Sequence, residues 1–270
     1  MGKAILSLPS HKELPVPDAL QSDFNVHLPA GPAGLDQDAE WCILEVNGQR
    51  RRILLHDYDE LYRVPGAYEQ LFYAQLKCDS PRVVCSLIDA VLAEQGRSFE
   101  DLRVLDVGAG NGMVGERLAD MGAETIVGVD IIEEALEATE RDRPGVYDDY
   151  RVVDLTDVDA EDDAAFREHD FNALVTVAAL GFGDIPPQAF AQAYDYVAEG
   201  GLIAFNIKDR FLEEGDESGF RTLVEGLADE GLMVPLAQRR YRHRLSTAGR
   251  PLHYVAHVAQ KRGDVPASWR

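Results

Sequence analysis

The sequence predicts an α/β fold, a parallel sheet built from alternating strands and helices and closed by one antiparallel hairpin. From Val104 to Ile207, short apolar runs bounded by turn residues alternate with runs that are apolar at helical spacing, the pattern of strand–helix–strand units. Two long β-patterned segments follow, Leu232 to Arg244 and Pro251 to Lys261, joined by a short link that contains Gly249. So short a link makes them antiparallel neighbours. A third observation places a ligand site on this frame. Val104-Leu105-Asp106-Val107-Gly108-Ala109-Gly110-Asn111-Gly112 reads as a buried strand, a glycine loop and the start of a helix. Glycine lets backbone approach a ligand closely, and the helix start adds free N–H groups.

Taken in order, residues 1–40 carry Pro9, Pro15, Pro17, Pro29 and Pro32 among scattered acids and are expected to be irregular. Ile43-Leu44-Glu45-Val46 and Arg51-Arg52-Ile53-Leu54-Leu55 flank Asn47-Gly48, a strong hairpin signal. Helices are expected near 57–63, 66–76 and 80–95, the last opened by Ser80-Pro81 as cap and first turn. Beyond the glycine loop the expected elements are a helix at 113–121, a strand at 125–130, a helix at 132–141 and a strand at 150–154. The acidic stretch Asp157 to Asp163 reads as a loop or helix start. A strand over Phe171–Val177, a helix from Pro186-Pro187 to about Val197, a strand over 202–207 and a helix near 217–229 complete the alternation.

Composition limits the function. The chain has 270 residues, 46% of them apolar, and no run approaches the ~18 residues of a membrane span. Forty-eight acids against 26 bases leave a net charge of −22, a field that repels nucleic acid and anionic membranes. Cys42, Cys78 and Cys85 have neither metal-ligand spacing nor an even count, so no metal site or disulfide framework is expected. The N-terminus lacks a sustained apolar core and cleavage site. A cytoplasmic location is expected.

Asp106, at the end of the first strand, decides what kind of nucleotide the loop suits. An aspartate there would repel a pyrophosphate but favour a ligand with a cationic group. The order hydrophobic–Asp–hydrophobic–Gly-x-Gly-x-Gly resembles motif I of the class I S-adenosylmethionine (SAM)-dependent methyltransferases, whose cofactor has an ammonium and a sulfonium and no phosphate. A rival pattern, Gly110-Asn111-Gly112-Met113-Val114-Gly115, fits the dinucleotide G-x-G-x-x-G, but its first glycine falls late after the strand. Thr125-Ile126-Val127-Gly128-Val129-Asp130 ends a second strand in an acid suited to ribose hydroxyls. Tyr150-Arg151-Val152-Val153-Asp154-Leu155 ends a third, where the resemblance implies an acid facing the adenine amino group. The resemblance covers roughly residues 55–262. It implies a Rossmann-like, seven-stranded, mostly parallel sheet with a terminal antiparallel hairpin, preceded by an N-terminal β-hairpin and a helical cap. In domain terms this is an arm and hairpin over 1–55, a SAM-dependent methyltransferase domain over 56–262 with its cap at 56–96, and a tail at 263–270.

Ligands of open α/β sheets bind outside the carboxyl ends of the strands. That rule selects Asp106, Gly108, Ala109, Gly110 and Gly112 from the first strand and loop. It adds Asp130 and Ile131 from the second, Asp154 and Leu155 from the third, and Thr176 from the fourth, all as cofactor residues. Small residues Ala178-Ala179-Leu180-Gly181 follow Thr176, then Phe182 as an acceptor contact. The Asn/Asp-Pro-Pro-Tyr-like turn of relatives that methylate nucleobases or glutamine is missing here, so those acceptors are not expected. Asp57-Tyr58-Asp59-Glu60-Leu61 and Tyr68-Glu69-Gln70 are similar to cap elements in which a tyrosine hydroxyl meets the cofactor carboxylate. Tyr68 is the first candidate and Tyr62 the second, with plain packing of a helix on the sheet as the alternative. Arg239-Arg240-Tyr241-Arg242-His243-Arg244 puts four arginines on the cofactor rim. Arg244 could hold an anionic acceptor, or the run could be a solvated hairpin balancing nearby acids. If a base is needed, His253 and His243 are the candidates. The resulting expectation is methyl transfer from SAM to O, N or C of a small molecule. It needs no nucleic-acid or membrane partner and is compatible with a homodimer. An NAD-linked oxidoreductase and a non-catalytic SAM-binding regulatory protein are the alternatives.

Overall fold

A computed structural model describes residues 23–29 and 35–269. Pro9, Pro15, Pro17 and Pro32 lie outside the described residues. The hairpin forms as expected: β2 (Trp41–Val46) and β3 (Gln49–Leu54) pair antiparallel across Asn47 and Gly48. Both turn residues have positive φ, 51° and 78°, as a two-residue turn matched to strand twist requires. The expected irregular arm is corrected in one place. Phe24–His27 forms a strand, β1, that pairs antiparallel with β2 and makes a three-stranded sheet. Val26 is the inward residue of that strand, and the core it joins explains the pairing.

The cap comprises α1 (Tyr58–Tyr62), α2 (Ala67–Glu69) and a π-helical run Gln70–Gln75 that continues α2. Where the sequence predicts one regular helix, the wider π turn takes over after three residues. Leu61, Val64, Ala67, Leu71, Phe72 and Leu76 of this region pack with Val26, Leu44, Ile53 and Leu55 of the small sheet into one core. Next comes α3 (Ser80–Glu94), whose cap position is Asp79 rather than Ser80. The Ser80 hydroxyl is turned inward to a different task.

The large sheet has the order β6-β5-β4-β7-β8-β10-β9. Its strands are β4 (Arg103–Val107), β5 (Thr125–Asp130), β6 (Asp149–Val152), β7 (Ala173–Thr176), β8 (Leu202–Lys208), β9 (Met233–Leu245) and β10 (Pro251–Lys261). The first five are parallel, while β10 runs antiparallel to both β8 and β9. The connecting helices are α4 (Met113–Asp120), α5 (Glu133–Asp142), α6 (Ala160–Glu168), α7 (Pro187–Asp195) and α8 (Phe220–Asp229). Asp159 caps α6 by accepting the N–H groups of Glu161 and Asp162, so the acidic stretch is a helix start. Side chains of α6, α7 and α8 fill one face of the sheet, and those of α3 and α4 fill the other. Strand order reverses between β4 and β7, so the switch-point crevice opens above their carboxyl ends. The cap lies over that opening. It is tied down by the Arg63–Glu134 ion pair and by Arg141 donating to the Tyr62 carbonyl at 3.0 Å.

Candidate active site

The crevice above the sheet has about 220 Å³ of free volume. Gly108, Asp130, Ile131, Ile132, Val153, Asp154 and Leu155 line one side of it. The loop residues Val177, Ala178, Ala179, Asp184 and Ile185 line another, and the cap adds His56, Tyr58, Tyr62 and Tyr68. This lining holds three aspartates and neither lysine nor arginine. A diphosphate would meet only negative charge here, whereas a nucleoside carrying a sulfonium and an ammonium would be stabilised. The backbone is shaped for such a guest. Gly108 sits at φ 71°, and a Cβ on it would come within 2.8 Å of the Ala179 Cβ. A Cβ on Gly110 would lie 2.5 Å from the Tyr62 hydroxyl. Ile131 is the most exposed large apolar side chain described, at 59%, and stands at the crevice rim as an apolar face for a planar base. These residues fit SAM.

Asp130 does more than face the crevice. Its Oδ2 accepts the Gly110 N–H at 2.9 Å, and its Oδ1 accepts the N–H groups of Ile131 at 2.8 Å and Ile132 at 3.2 Å. A carboxylate offers about four acceptor positions, so one remains for a ribose hydroxyl. Burial raises its pKa, and the three backbone donors oppose the rise. Asp154 lies beyond the end of β6, accepting the N–H and hydroxyl of Thr156, which together lower its pKa. Hydrogen bonds thus hold the carboxyl oxygens of both acids in place.

Five of the expected cofactor residues lie elsewhere. Asp106 is fully buried under the glycine loop, on the side of the sheet covered by α3 and α4. It points there because it alternates with Leu105 and Val107, and Val107 lines the crevice. Its Oδ2 accepts the Tyr147 hydroxyl at 2.8 Å, and its Oδ1 has no partner. Burial pushes its carboxyl up to about 7, against the pull of the Tyr147 hydrogen bond. Gly110 and Gly112 shape the loop without lining the crevice. The Gly110 carbonyl accepts from Thr139 and Tyr150, each at 2.8 Å, and Gly112 begins α4 at φ 83°. Ala109 is buried in the same loop. Thr176 is buried behind the strand end, and Val177, Ala178 and Ala179 take the crevice side instead.

A second, smaller chamber with about 30 Å³ of free volume adjoins the crevice. Its walls include Gln37, Cys78, Phe182, His243, Arg244 and Tyr254. Five residues, His56, Tyr58, Tyr68, Ala178 and Asp184, line both spaces. Tyr68 is thus at the junction, with Tyr62 on the crevice side. Burial raises the pKa of Tyr58, Tyr62 and Tyr68, so all three phenols stay protonated.

Arg244 lines the chamber but is not free to grip an anion. Its Nη2 pairs with Glu40 at 2.7 Å, both side chains being 2% exposed, and its Nη1 donates to the Leu245 carbonyl at 2.9 Å. Of the other arginines in the run, Arg240 pairs with Asp209 at 2.7 Å. His253 is corrected outright. Tyr254 lines the chamber, so its neighbour on the strand projects from the opposite face of the sheet.

His243 lines the chamber but cannot serve as a base, for a reason that can be followed from donor to acceptor. The Ala178 N–H donates to Asn206 Oδ1 at 2.6 Å, which fixes the Asn206 amide. The amide nitrogen donates to the Tyr241 hydroxyl at 2.6 Å and to Ser80 Oγ at 3.3 Å. Tyr241 then donates to Ser80 at 2.7 Å, leaving the single Ser80 hydrogen for His243 Nδ1, also at 2.7 Å. Nδ1 is an acceptor, so the neutral ring carries its proton on Nε2. Burial, with the charges of Arg244 and Lys208, holds its pKa well below the usual range. His243 is a neutral donor facing the chamber, stacked 4.1 Å from Tyr254.

Sequence reasoning missed His56 and Asp184. His56 Nδ1 lies 3.0 Å from Asp184 Oδ2 and 3.3 Å from Oδ1. The available signal was Gly181-Phe182-Gly183-Asp184, a glycine-rich strand-end loop closing on an acid. Gly181, Phe182 and Gly183 all have positive φ, at 90°, 54° and 91°. Only the fold could supply the His56 partner.

Residues 105–205 match the family described as a methyltransferase domain. The chain thus carries a SAM-dependent methyltransferase domain over this segment. Its cofactor is SAM. No curated protein matches the sequence. Among solved structures, the N-methyltransferase NodS of Bradyrhizobium japonicum, in complex with S-adenosyl-L-homocysteine (SAH), is 12% identical with a TM-score of 0.52. The match covers 77% of this chain and 97% of that one. The magnesium protoporphyrin IX methyltransferase of Synechocystis, with bound SAM, is 13% identical over 67% of this chain and 79% of its own, with a TM-score of 0.46. A putative RNA methyltransferase of Pyrococcus horikoshii is 14% identical over 77% and 90%, with a TM-score of 0.49. At these identities the likeness speaks for the fold alone.

Proposed function

We propose that this methyltransferase acts on a small-molecule acceptor held in the chamber beside the crevice. The observation that carries the reading is the shared wall of His56, Tyr58, Tyr68, Ala178 and Asp184, which sets an acceptor against the cofactor's reactive end. SAM supplies an electrophilic methyl on a sulfonium. In this reading Asp130 holds the ribose, Asp154 faces the adenine amino group, and Ile131 and Leu155 cover the base. Tyr68 and Tyr62 donate to the amino-acid end, and the glycine loop permits close approach. Methyl transfer needs alignment more than strong acid or base, and positioning alone supplies much of the barrier reduction. The chamber is walled mainly by aromatic rings and neutral polar groups, with Asp184 engaged by His56 and Arg244 paired with Glu40. That lining suits the uncharged polar end of a compact acceptor. The net charge of −22 opposes a nucleic-acid acceptor.

Calorimetry with SAM, SAH and NAD, followed by transfer of labelled methyl from SAM to a panel of small alcohols, phenols and amines, tests the reading. Micromolar-scale binding of SAM and SAH, no binding of NAD, and label in a small acceptor are expected. Binding of NAD without SAM would overturn the cofactor assignment. Label entering RNA and no small acceptor would overturn the acceptor class.

A further inference from the structure

We propose that His56, held by Asp184 at the junction of crevice and chamber, is the general base of methyl transfer, and that the acceptor reacts through an O–H or N–H group. The proposal rests on the small-molecule methyltransferase reading and adds the group that takes the proton. Two histidines of these walls differ in tautomer. A carboxylate can only accept hydrogen bonds, so Asp184 draws the His56 proton to Nδ1. The neutral ring therefore presents a bare Nε2, and no described residue donates to it. His243 has the reverse arrangement, with Nδ1 occupied by Ser80 and the proton on Nε2. One ring can accept a proton and the other can only donate a hydrogen bond.

Elimination supports the same choice. The other polar groups of the shared wall are Tyr58 and Tyr68, whose phenols stay protonated, and Asp184, which is engaged by His56. In the crevice, Asp130 is bound by the glycine loop and Asp154 by Thr156. The His56 ring is also held in place, tilted against Tyr58 at 5.7 Å and Phe182 at 5.6 Å. The charged and titratable groups around the junction are Asp184 from the loop after β7, Asp130 from β5 and Arg244 from β9. The phenols of Tyr58, Tyr62, Tyr68 and Tyr254, the His243 ring, the Cys78 thiol and Asp154 also line the two spaces. The loop that carries Asp184 and Phe182 is itself fixed. Ala178, at φ 61°, is held by Asn206, and a side chain at Gly181 would strike the Phe211 ring at 2.4 Å. Positive φ at non-glycine residues is uncommon and points to a site where function requires the shape.

The step balances. As a lone pair of the acceptor oxygen or nitrogen forms its bond to the methyl carbon, the acceptor proton passes to His56 Nε2. The carbon–sulfur bonding pair stays on sulfur, leaving a neutral thioether. The positive charge moves to the imidazolium, which Asp184 balances. Asp184 is a positioning residue in this scheme, because it sets the tautomer and orientation of the base.

Two measurements test the proposal. The first is 15N NMR of the histidine rings in the SAH complex, which requires no acceptor. His56 protonated at Nδ1 and bare at Nε2 near neutral pH is expected, and a His56 proton on Nε2 would overturn the base. The second compares wild type with His56→Gln and Asp184→Asn in labelled-methyl transfer across pH. His56→Gln should lose about 100- to 10,000-fold in kcat, keep its SAM affinity, and lose the wild type's rise in rate with pH. Asp184→Asn should lose at least about tenfold in kcat. It should also shift the pH profile to lower values, because the imidazolium loses its counter-charge. A His56→Gln enzyme with wild-type kcat and an unchanged pH profile would overturn the proposal. So would a variant in which SAM affinity falls while kcat stands, since His56 would then be only a clasp between cap and loop. A wild type that binds no SAM would instead remove the methyltransferase reading, and the proposal with it.

Discussion

The crevice and the chamber meet at one wall, yet they are assembled in different ways. The crevice is made mainly from the ends of β4, β5, β6 and β7 and the loops that follow them, with the cap above, so its acids follow apolar runs along the chain. The chamber collects Gln37, His56, Phe182, His243 and Arg244 from separate segments, brought together only when β9 and β10 pair and the cap docks. The crevice works through backbone shape and carboxyl groups fixed by hydrogen bonds. The chamber works through a directed network of neutral groups, the His56–Asp184 pair and one closed ion pair. A strand-end site can be anticipated from a linear pattern, whereas a chamber of this kind depends on long-range pairing.

Breaking the crevice without touching the chamber should give the largest effect. Gly108→Val places a branched side chain at φ 71° and within 2.8 Å of Ala179. We expect calorimetry to detect no SAM binding, while 15N spectra still show His243 protonated at Nε2. SAM affinity within about tenfold of wild type would mean that the glycine loop does not face the cofactor. The reverse test breaks the chamber. Arg244→Ala leaves Glu40 buried without its charge partner, a loss of about 3–5 kcal/mol in stability by denaturant unfolding. A loss below about 1 kcal/mol would place the pair in solvent and reopen Arg244 to an anionic acceptor.

Asp130→Ala sharpens the comparison at an intermediate scale. SAM binding should weaken by about 1.5–3 kcal/mol, the scale of hydrogen bonds to a charged group. Thermal stability should fall as well, because the N–H groups of Gly110, Ile131 and Ile132 lose their acceptor. Weaker binding with an unchanged melting temperature would show that Asp130 does not brace the loop. The last effect, read as a slope against pH, concerns Asp106. Its folded pKa, about 7, lies above that of an exposed aspartate. The stability it contributes is full at acid pH and is lost as pH rises through about 7. The loss is at most about 1.4 kcal/mol per pH unit. Denaturant unfolding of Asp106→Asn over this range should show a flatter pH dependence than wild type. Equal slopes would mean that the Asp106 carboxylate stays ionised.

What could be read along the chain follows the same division. The alternation of strands and helices, the antiparallel closure by β10 and the turn at Asn47-Gly48 were legible because each depends on local periodicity and glycine placement. Asp130, Asp154, Ile131 and Leu155 were placed on the crevice because strand ends mark the ligand side of a parallel sheet. Asp106 was placed there too, but the two-residue alternation of β4 turns it to the far face. Strand β1 went unseen because four residues among prolines carry little pattern, and its stability comes from pairing with β2. His253 and His243 were chosen for residue type. Their roles depend on the face each presents and, for His243, on hydrogens directed from Ala178 through Asn206, Tyr241 and Ser80. His56 pairs with a residue far along the chain, and no spacing rule joins them.

The central claim is that SAM lies over Gly108, Asp130 and Ile131 and leaves the chamber beyond His56 free for the acceptor. Titration of methyl-labelled protein with SAH, followed by NMR, tests it most directly. The largest shifts are expected at Ile131, Ile132, Val153, Leu155, Ala178 and Ala179, with His243 Nε2 still protonated and its neighbours little changed. Shifts centred on Leu55 and Leu180 of the chamber, with Ile131 and Leu155 unmoved, would contradict it.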